Sequence, residues 1–211
     1  MGRIEELCAL CEPCESFADV GCDHGYIARH MLKSGKCKDV IITDVSAKCL
    51  AKAEKLLADY IAAGKCRAVC CDGLLGVSQS VEQAIIAGMG GEEIIKILTE
   101  GFIPEKFILQ PMKNVGKVRA FLLESGCKIT YDGIFKDENF YFVIKGERVG
   151  GSMGYTPAAL AFGRESLGTP VLKEYAAAEL KKSEAHLQTC KNAARRSEIL
   201  REIGLLKEVL Q

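Results

Sequence analysis

The chain has 211 residues, 28 Lys and Arg offset by 28 Asp and Glu, and an apolar fraction of 48%. That suits one packed domain with an appendage, or two small domains. No apolar run approaches the ~18 residues a bilayer-spanning helix needs. Zero net charge does not mark a generally basic nucleic-acid binder. Residues 28–67 nevertheless hold nine Lys/Arg against four Asp/Glu, whereas residues 1–27 hold one against six, which leaves room for a local basic face. The opening Met1-Gly-Arg-Ile-Glu-Glu-Leu7 carries no secretory apolar region, so a cytoplasmic location and reduced thiols are expected.

Cys8, Cys11 and Cys14 form a C-x2-C-x2-C run, and Cys70 and Cys71 are adjacent. No second C-x2-C pair and no H-x3–5-H pair completes a four-ligand set, so no metal is expected. Cys8 and Cys11 share a helical face with Ile4 and Leu7, where thiols act as small hydrophobes.

Phe17 and Ala18 then lead into Asp19-Val-Gly-Cys-Asp-His-Gly25, followed by an apolar segment (Tyr26, Ile27, Met31, Leu32) that can open a helix. A glycine turn between strand and helix brings a ligand close to backbone N–H groups and to the helix N-terminus. A dinucleotide fingerprint would place glycine where Asp23 stands. A carboxylate there repels a pyrophosphate and accommodates a cationic cofactor such as S-adenosylmethionine. Val40-Ile-Ile-Thr43 reads as the next strand, ending at Asp44 and Val45, and a carboxylate roughly twenty residues past the turn suits ribose hydroxyls.

The segment from Ser46 to Gly64 reads as one helix with a stripe through Cys49, Leu50, Ala53, Leu56, Leu57, Tyr60 and Ile61. Cys66–Cys71 reads as a strand ending at Asp72-Gly73-Leu74, and Gln83–Ala87 as a fourth ending in Gly88-Met-Gly-Gly91 before a short helix. Lys106–Gln110 reads as a fifth strand closed by Pro111, with a helix from Val115 to Glu124. Cys127–Phe135 and Phe140–Gly146 alternate as a closing antiparallel pair. This succession predicts an α/β fold: a Rossmann-like, doubly wound sheet over residues 1–150. Gly150–Gly154 resembles a linker. Beyond it, residues 151–211 form a second unit whose apolar spacing from Pro170 onward predicts an α-helical hairpin turning near Asn192.

Four acidic or glycine-bearing loops thus fall at the carboxyl ends of four successive strands, where open parallel sheets bind ligands. Asp19, Gly21, Asp23, His24 and Gly25 would meet the cofactor from the first loop and Asp44 with Val45 from the second. Asp72, Gly73 and Leu74 would do so from the third, and Ala87, Gly88, Met89 and Gly90 from the fourth.

The runs Asp19-Val-Gly-Cys-Asp-His-Gly-Tyr26, Asp72-Gly-Leu74, Ala87-Gly-Met-Gly-Gly91 and Leu109-Gln-Pro111 resemble those of the bacterial tRNA (adenine(22)-N(1))-methyltransferases, across essentially the whole chain. The resemblance implies a class I S-adenosylmethionine-dependent methyltransferase fold with a coiled-coil-like C-terminal domain that helps hold tRNA. It places Asp23 by the reaction centre, with His24 beside it. Gln110, a candidate catalytic residue, and Tyr141 are read as further lining of the base pocket. Candidate RNA contacts are Arg29 and Lys33, with Lys182, Lys191, Arg195 and Arg196 on the hairpin. A monomer or weak dimer is expected. The chain departs from the family pattern at Met112, where an asparagine is usual, at Asp44 for a common Glu, and at Gly25 for an alanine. The alternatives are a non-catalytic or small-molecule-directed S-adenosylmethionine-binding protein whose hairpin docks a partner, and, least compatible with Asp23, an NAD-linked oxidoreductase.

Overall fold

The computed structural model describes residues 2–151 and 154–211. Ser152 and Met153, in the middle of the expected linker, lie outside the described residues. Strands β1 (Cys14–Val20), β2 (Cys37–Asp44), β3 (Cys66–Cys70), β4 (Gln83–Gly90), β5 (Lys106–Lys113), β6 (Lys128–Lys136) and β7 (Phe140–Glu147) form one sheet. Its order is β3-β2-β1-β4-β5-β7-β6. The first five strands run parallel, and β7 lies antiparallel between β5 and β6. The strand order reverses between β1 and β4, the point at which such sheets open a crevice.

Helices cover both faces: α1 (Arg3–Leu10), α2 (Tyr26–Lys33), α3 (Ala47–Leu56) and α4 (Ala58–Ala62) precede β3, and α5 (Gly91–Glu100) and α6 (Val115–Glu124) flank β5. Alternate strand residues serve opposite cores, as the two-residue repeat of a pleated strand requires. Phe17, Ile42, Ile85 and Ile108 face the core under α1, α2 and α3. Their neighbours Ala18, Ile41, Ile86 and Leu109 face the core under α5 and α6. Six of the cysteines, Cys8, Cys11, Cys14, Cys22, Cys37 and Cys66, are buried in the first of these cores.

Two elements differ from the sequence expectation. The single helix expected over 46–64 is broken at Leu57, whose backbone (φ −107°, ψ 12°) leaves the helical region. Leu57 is wholly buried, and its Cδ1 lies 3.1 Å from where a Cβ on Gly25 would sit, so the break drives the side chain under the first loop. Pro111 does not close β5. It sits inside the strand, because β7 pairs only as far as Leu109 and the β4 register slips at Met89↔Pro111. A proline lacks only a ladder donor, and none is demanded there.

The C-terminal region comprises α7 (Pro157–Phe162), α8 (Pro170–Thr189) and α9 (Ala193–Leu210). Thr156, Thr169 and Asn192 cap them through side-chain oxygens, with Pro157 and Pro170 in the first turn. Helix α7, ended by Gly163, was not expected from the sequence pattern. Leu172, Ala176 and Leu206 pack with Ile134, Phe142 and Phe162 on the antiparallel end of the sheet. The distal part of the hairpin is largely exposed.

A buried ion pair fastens this region. Arg119 Nε donates to both carboxylate oxygens of Asp132 at 2.9 Å, and Arg119 Nη1 to the carbonyls of Leu160 (3.1 Å) and Ala161 (2.9 Å). Tyr155 donates to Asp132 Oδ2 at 3.1 Å. Desolvation raises the Asp132 carboxyl above its ordinary range, and Arg119 and Tyr155 oppose that rise. Breaking one side of such a pair leaves a bare buried charge, so Asp132→Ala should cost about 3–5 kcal/mol of stability. Urea denaturation followed by circular dichroism measures this. A loss under about 1 kcal/mol would rank the pair with exposed ones.

Candidate cofactor site

The turn after β1 is held by the end of β2. The amides of Gly21 and Cys22 both donate to the Thr43 carbonyl, at 2.8 and 3.0 Å, and Asp23 N donates to Asp44 Oδ2 at 3.2 Å. Asp44 Oδ1 accepts from Ser46 N at 2.8 Å. Gly25, in the left-handed region (φ 72°), starts α2, and the Asp19 carboxylate takes the Ala28 amide at 3.0 Å. Capping of the first free amides is therefore done by Asp19, with Asp23 left outward. Asp23 itself has φ 45°, one of two non-glycine residues with positive φ among those described. Such strain persists where the surroundings impose it, often at functional sites.

These loops open a cavity of about 500 Å³ lined by Asp19, Gly21, Asp23, His24, Asp44, Val45, Asp72, Gly73, Ala87, Gly88 and Met89, all of them expected from the sequence. Gly25 and Gly90 do not line it. Leu74 is buried, packed near Gly101. Gln110 is also outside this cavity. Its side chain is fully buried, with Oε1 accepting from Arg3 Nε at 2.9 Å, and it contributes to a neighbouring groove with Pro111, Phe140, Tyr175 and Arg201. Tyr141 stacks on Phe135 and lies beneath the Arg3 guanidinium, 5.4 Å from ring centroid to Cζ.

The lining also includes Arg3, Tyr26, Glu93 and Ile97, which pattern reading missed. Tyr26 is half exposed and stacks parallel on His24, with ring centroids 5.4 Å apart. The adjacency of motif residues offered a clue for Tyr26. Arg3 arrives from α1 by tertiary packing, which no local pattern encodes.

Among the described residues, five carboxylates line the cavity against a single guanidinium. Two are partly answered at the rim: Lys52 lies 3.6 Å from Asp23, and Lys96 lies 3.1 Å from Asp72. Among the described residues Asp19 has no such partner, and it is 4% exposed. Burial, with the Asp44 charge adding and the Ala28 amide opposing, pushes its carboxyl up to about 7. The arrangement is an electronegative basin with hydroxyl-accepting groups at one side, suited to a cationic nucleoside. Among the described residues, no cluster of three or more His, Cys, Asp or Glu is placed to hold a metal ion. No described helix is long and apolar enough to cross a membrane.

A family model described as a methyltransferase domain matches residues 1–144. The chain belongs to that family. It is 30% identical over 132 residues to a candidate tRNA methyltransferase of Mycoplasma pneumoniae, covering 62% of each protein. A candidate tRNA methyltransferase of Mycoplasma genitalium is 26% identical, over 60% of this chain and 58% of the relative. The chain therefore spans about three-fifths of the curated relatives it matches. Among solved structures, a candidate tRNA (m1A22) methyltransferase of Streptococcus pneumoniae in complex with S-adenosyl-L-methionine superposes with a TM-score of 0.88. It is 27% identical and is matched over 99% of this chain and 98% of its own. A Streptococcus agalactiae protein of the NADB-Rossmann superfamily superposes at 0.90 with 25% identity, over 100% of this chain and 97% of its own.

Proposed function

We propose that the protein transfers a methyl group from S-adenosyl-L-methionine to N1 of an adenine in tRNA, at position 22 in the D-arm region. It would do so in the cytoplasm as a monomer or weak dimer. The observation that carries this reading is the carboxylate-lined cavity across the ends of β3, β2, β1 and β4. The likeness to the Streptococcus pneumoniae protein bound to that cofactor supports it.

The residues present fit this cofactor. Asp44 stands at the end of β2 for the ribose hydroxyls and Asp72 past β3 for the adenine amine. Asp19 and Asp23 supply negative charge where a sulfonium and an ammonium would lie. When bound, the cofactor supplies an electrophilic methyl group on a cationic sulfur. Adenine N1 carries its own lone pair, so the chain need not remove a proton before attack. Its residues have to hold both reactants within about 3–3.5 Å and in line, and to take the base out of its stack. Asp23, exposed at the mouth and held outward by its backbone, is placed to accept a hydrogen bond from the adenine N6 amine. It also opposes the positive charge that develops on the methylated ring. The Tyr26–His24 stack lies beside it. Gln110, clamped under Arg3, acts through that arginine and does not touch the base.

The division into residues 1–150 and 151–211 is one of function on this reading. Tyr155, Leu160, Ala161, Leu172 and Ala176 complete the core, while the exposed distal hairpin reaches for tRNA. Among the described residues Lys191 makes no ion pair, Lys182 and Arg195 pair locally with Glu179 and Glu198, and Arg196 caps the carbonyls of Leu187 and Cys190. Arg29 and Lys33 add exposed cations on α2.

Purified protein, unmodified tRNA and labelled cofactor should yield N1-methyladenine at position 22 by mass-spectrometric mapping. Cofactor uptake with no methylated base would leave a binding module in its place. In the same assay Asp23→Ala should lower turnover about 10²-fold with cofactor affinity nearly unchanged. Equal losses would make Asp23 a cofactor residue. Asp44→Ala should weaken cofactor binding by about 1.5–3 kcal/mol through loss of a charge-assisted hydrogen bond, measured by calorimetry.

The Asp19 carboxyl, neutral below about 7 and charged above it, gives a pH dependence. A cationic ligand prefers the charged form, so binding draws Asp19 to ionise and releases a proton. Cofactor affinity should therefore rise about tenfold between pH 6 and pH 8. Titrations in buffers of differing ionisation enthalpy read the released proton. Asp19→Asn should remove its share of both effects.

A further inference from the structure

We infer that Arg3 is the residue that binds the α-carboxylate of the cofactor's amino-acid end. The inference rests on the cofactor reading above and extends it to a group that reading leaves without a partner. S-adenosylmethionine carries an ammonium and a sulfonium, which the acidic cavity suits, and also a carboxylate, which it does not. Placed among Asp19, Asp23, Asp44, Asp72 and Glu93, a further carboxylate needs a cation at close range, and among the described residues Arg3 is the only Lys or Arg in the lining.

The layout along the rim assigns the ends. With the ribose at Asp44 (β2) and the adenine at Asp72 (β3), the amino-acid end extends across β1 toward β4. Arg3 sits at that side. A Cβ built on Gly88 would lie 2.7 Å from Arg3 Nη2, so the bare backbone at Gly88 makes the room the guanidinium occupies.

The side chain is held as a binding group rather than as half of an ion pair. Its Nε is committed to Gln110 Oε1 at 2.9 Å, and the guanidinium stacks over the Tyr141 ring at 5.4 Å. The start of α1 is pinned by Arg3 N donating to Asp137 Oδ2 at 2.9 Å. Among the described residues no carboxylate lies within ion-pair distance of it, and neither Nη has a hydrogen-bond partner. A guanidinium fixed at Nε and free at both Nη presents a planar pair of donors, the geometry that matches a carboxylate. Gln110 and Tyr141 are then positioning residues for Arg3, which explains a fully buried glutamine beside the cavity yet outside it.

The test compares two ligands that differ at that end alone. S-adenosylhomocysteine keeps the amino-acid carboxylate, whereas 5′-methylthioadenosine lacks the whole amino-acid group. Calorimetric titration of the full chain with each, for wild type, Arg3→Ala and Arg3→Lys, should show a loss of about 10- to 100-fold for S-adenosylhomocysteine in Arg3→Ala. Binding of 5′-methylthioadenosine should stay within about twofold. Arg3→Lys should fall between, because an ammonium keeps the charge and loses the fork. Equal losses on both ligands would make Arg3 a scaffold of the cavity and overturn the inference. Unchanged S-adenosylhomocysteine affinity would do the same, and a raised tRNA KM alongside it would reassign Arg3 to an RNA phosphate. Wild type that binds neither ligand would overturn the cofactor reading itself, a result distinct from a wild type that binds and an Arg3 variant that binds equally well.

Discussion

The site depends on how the end of β2 holds the turn that follows β1. One carbonyl, that of Thr43, accepts the amides of both Gly21 and Cys22, and one side chain, Asp44, accepts the amide of Asp23 and that of Ser46. Four backbone donors are thus satisfied by two consecutive residues, and a turn with those donors taken has little freedom left. Thr43 Oγ1 in turn donates to the Gly73 carbonyl at 3.0 Å, which ties the third loop to the same point. The three loops behave as one rigid rim. The positive φ of Asp23 follows from this: its amide is pulled toward Asp44 while Gly25 N reaches back to the Cys22 carbonyl, and the side chain is turned outward.

Rigidity at the rim makes sense of the charge that accumulates there. Asp19 is buried and close to the Asp44 charge, a combination that disfavours ionisation. The fold tolerates it because the Ala28 amide and the start of α2 favour negative charge at that spot. A group kept near neutrality by burial responds strongly to an arriving cation. The same carboxylate caps the start of α2 and, on the proposed reading, takes part in the electrostatic recognition, so the two roles need no separate residues.

The loops at the ends of β1 to β4 were legible from residue order because each rests on local chemistry. Glycine turns, acids at strand ends and alternating apolar runs fixed the succession of elements and most of the cavity lining. Val115–Glu124 as a helix and the hairpin's turn near Asn192 were readable for the same reason. What escaped was tertiary. Leu57 breaks its helix only because a pocket beneath Gly25 receives it. Pro111 stays inside β5 only because β7 stops pairing at Leu109. Gln110 was expected near the acceptor base, yet its Oε1 accepts from Arg3, more than a hundred residues earlier in the chain, and its Nε2 donates to Met112 Sδ.

The helical hairpin extends this distinction between local and tertiary information. Its proximal half is continuous with the main core through Leu172, Ala176 and Leu206, and α7 is clamped by Arg119, itself paired with Asp132. Its distal half buries little, and some of its charges pair with neighbours on the same hairpin, as Lys182 does with Glu179 and Arg195 with Glu198. An arm rooted in the core and bare at its tip transmits orientation without needing an interface of its own. Such a geometry favours an extended polyanion, which is held by many weak phosphate contacts, over a compact protein partner, which would require a large contiguous apolar patch. The neighbouring groove along Pro111, Phe140, Tyr175 and Arg201 runs from the root of that arm toward Gln110, and so toward the arginine that borders the cavity. Gln110 thus links the groove at the hairpin root to the arginine that borders the cavity.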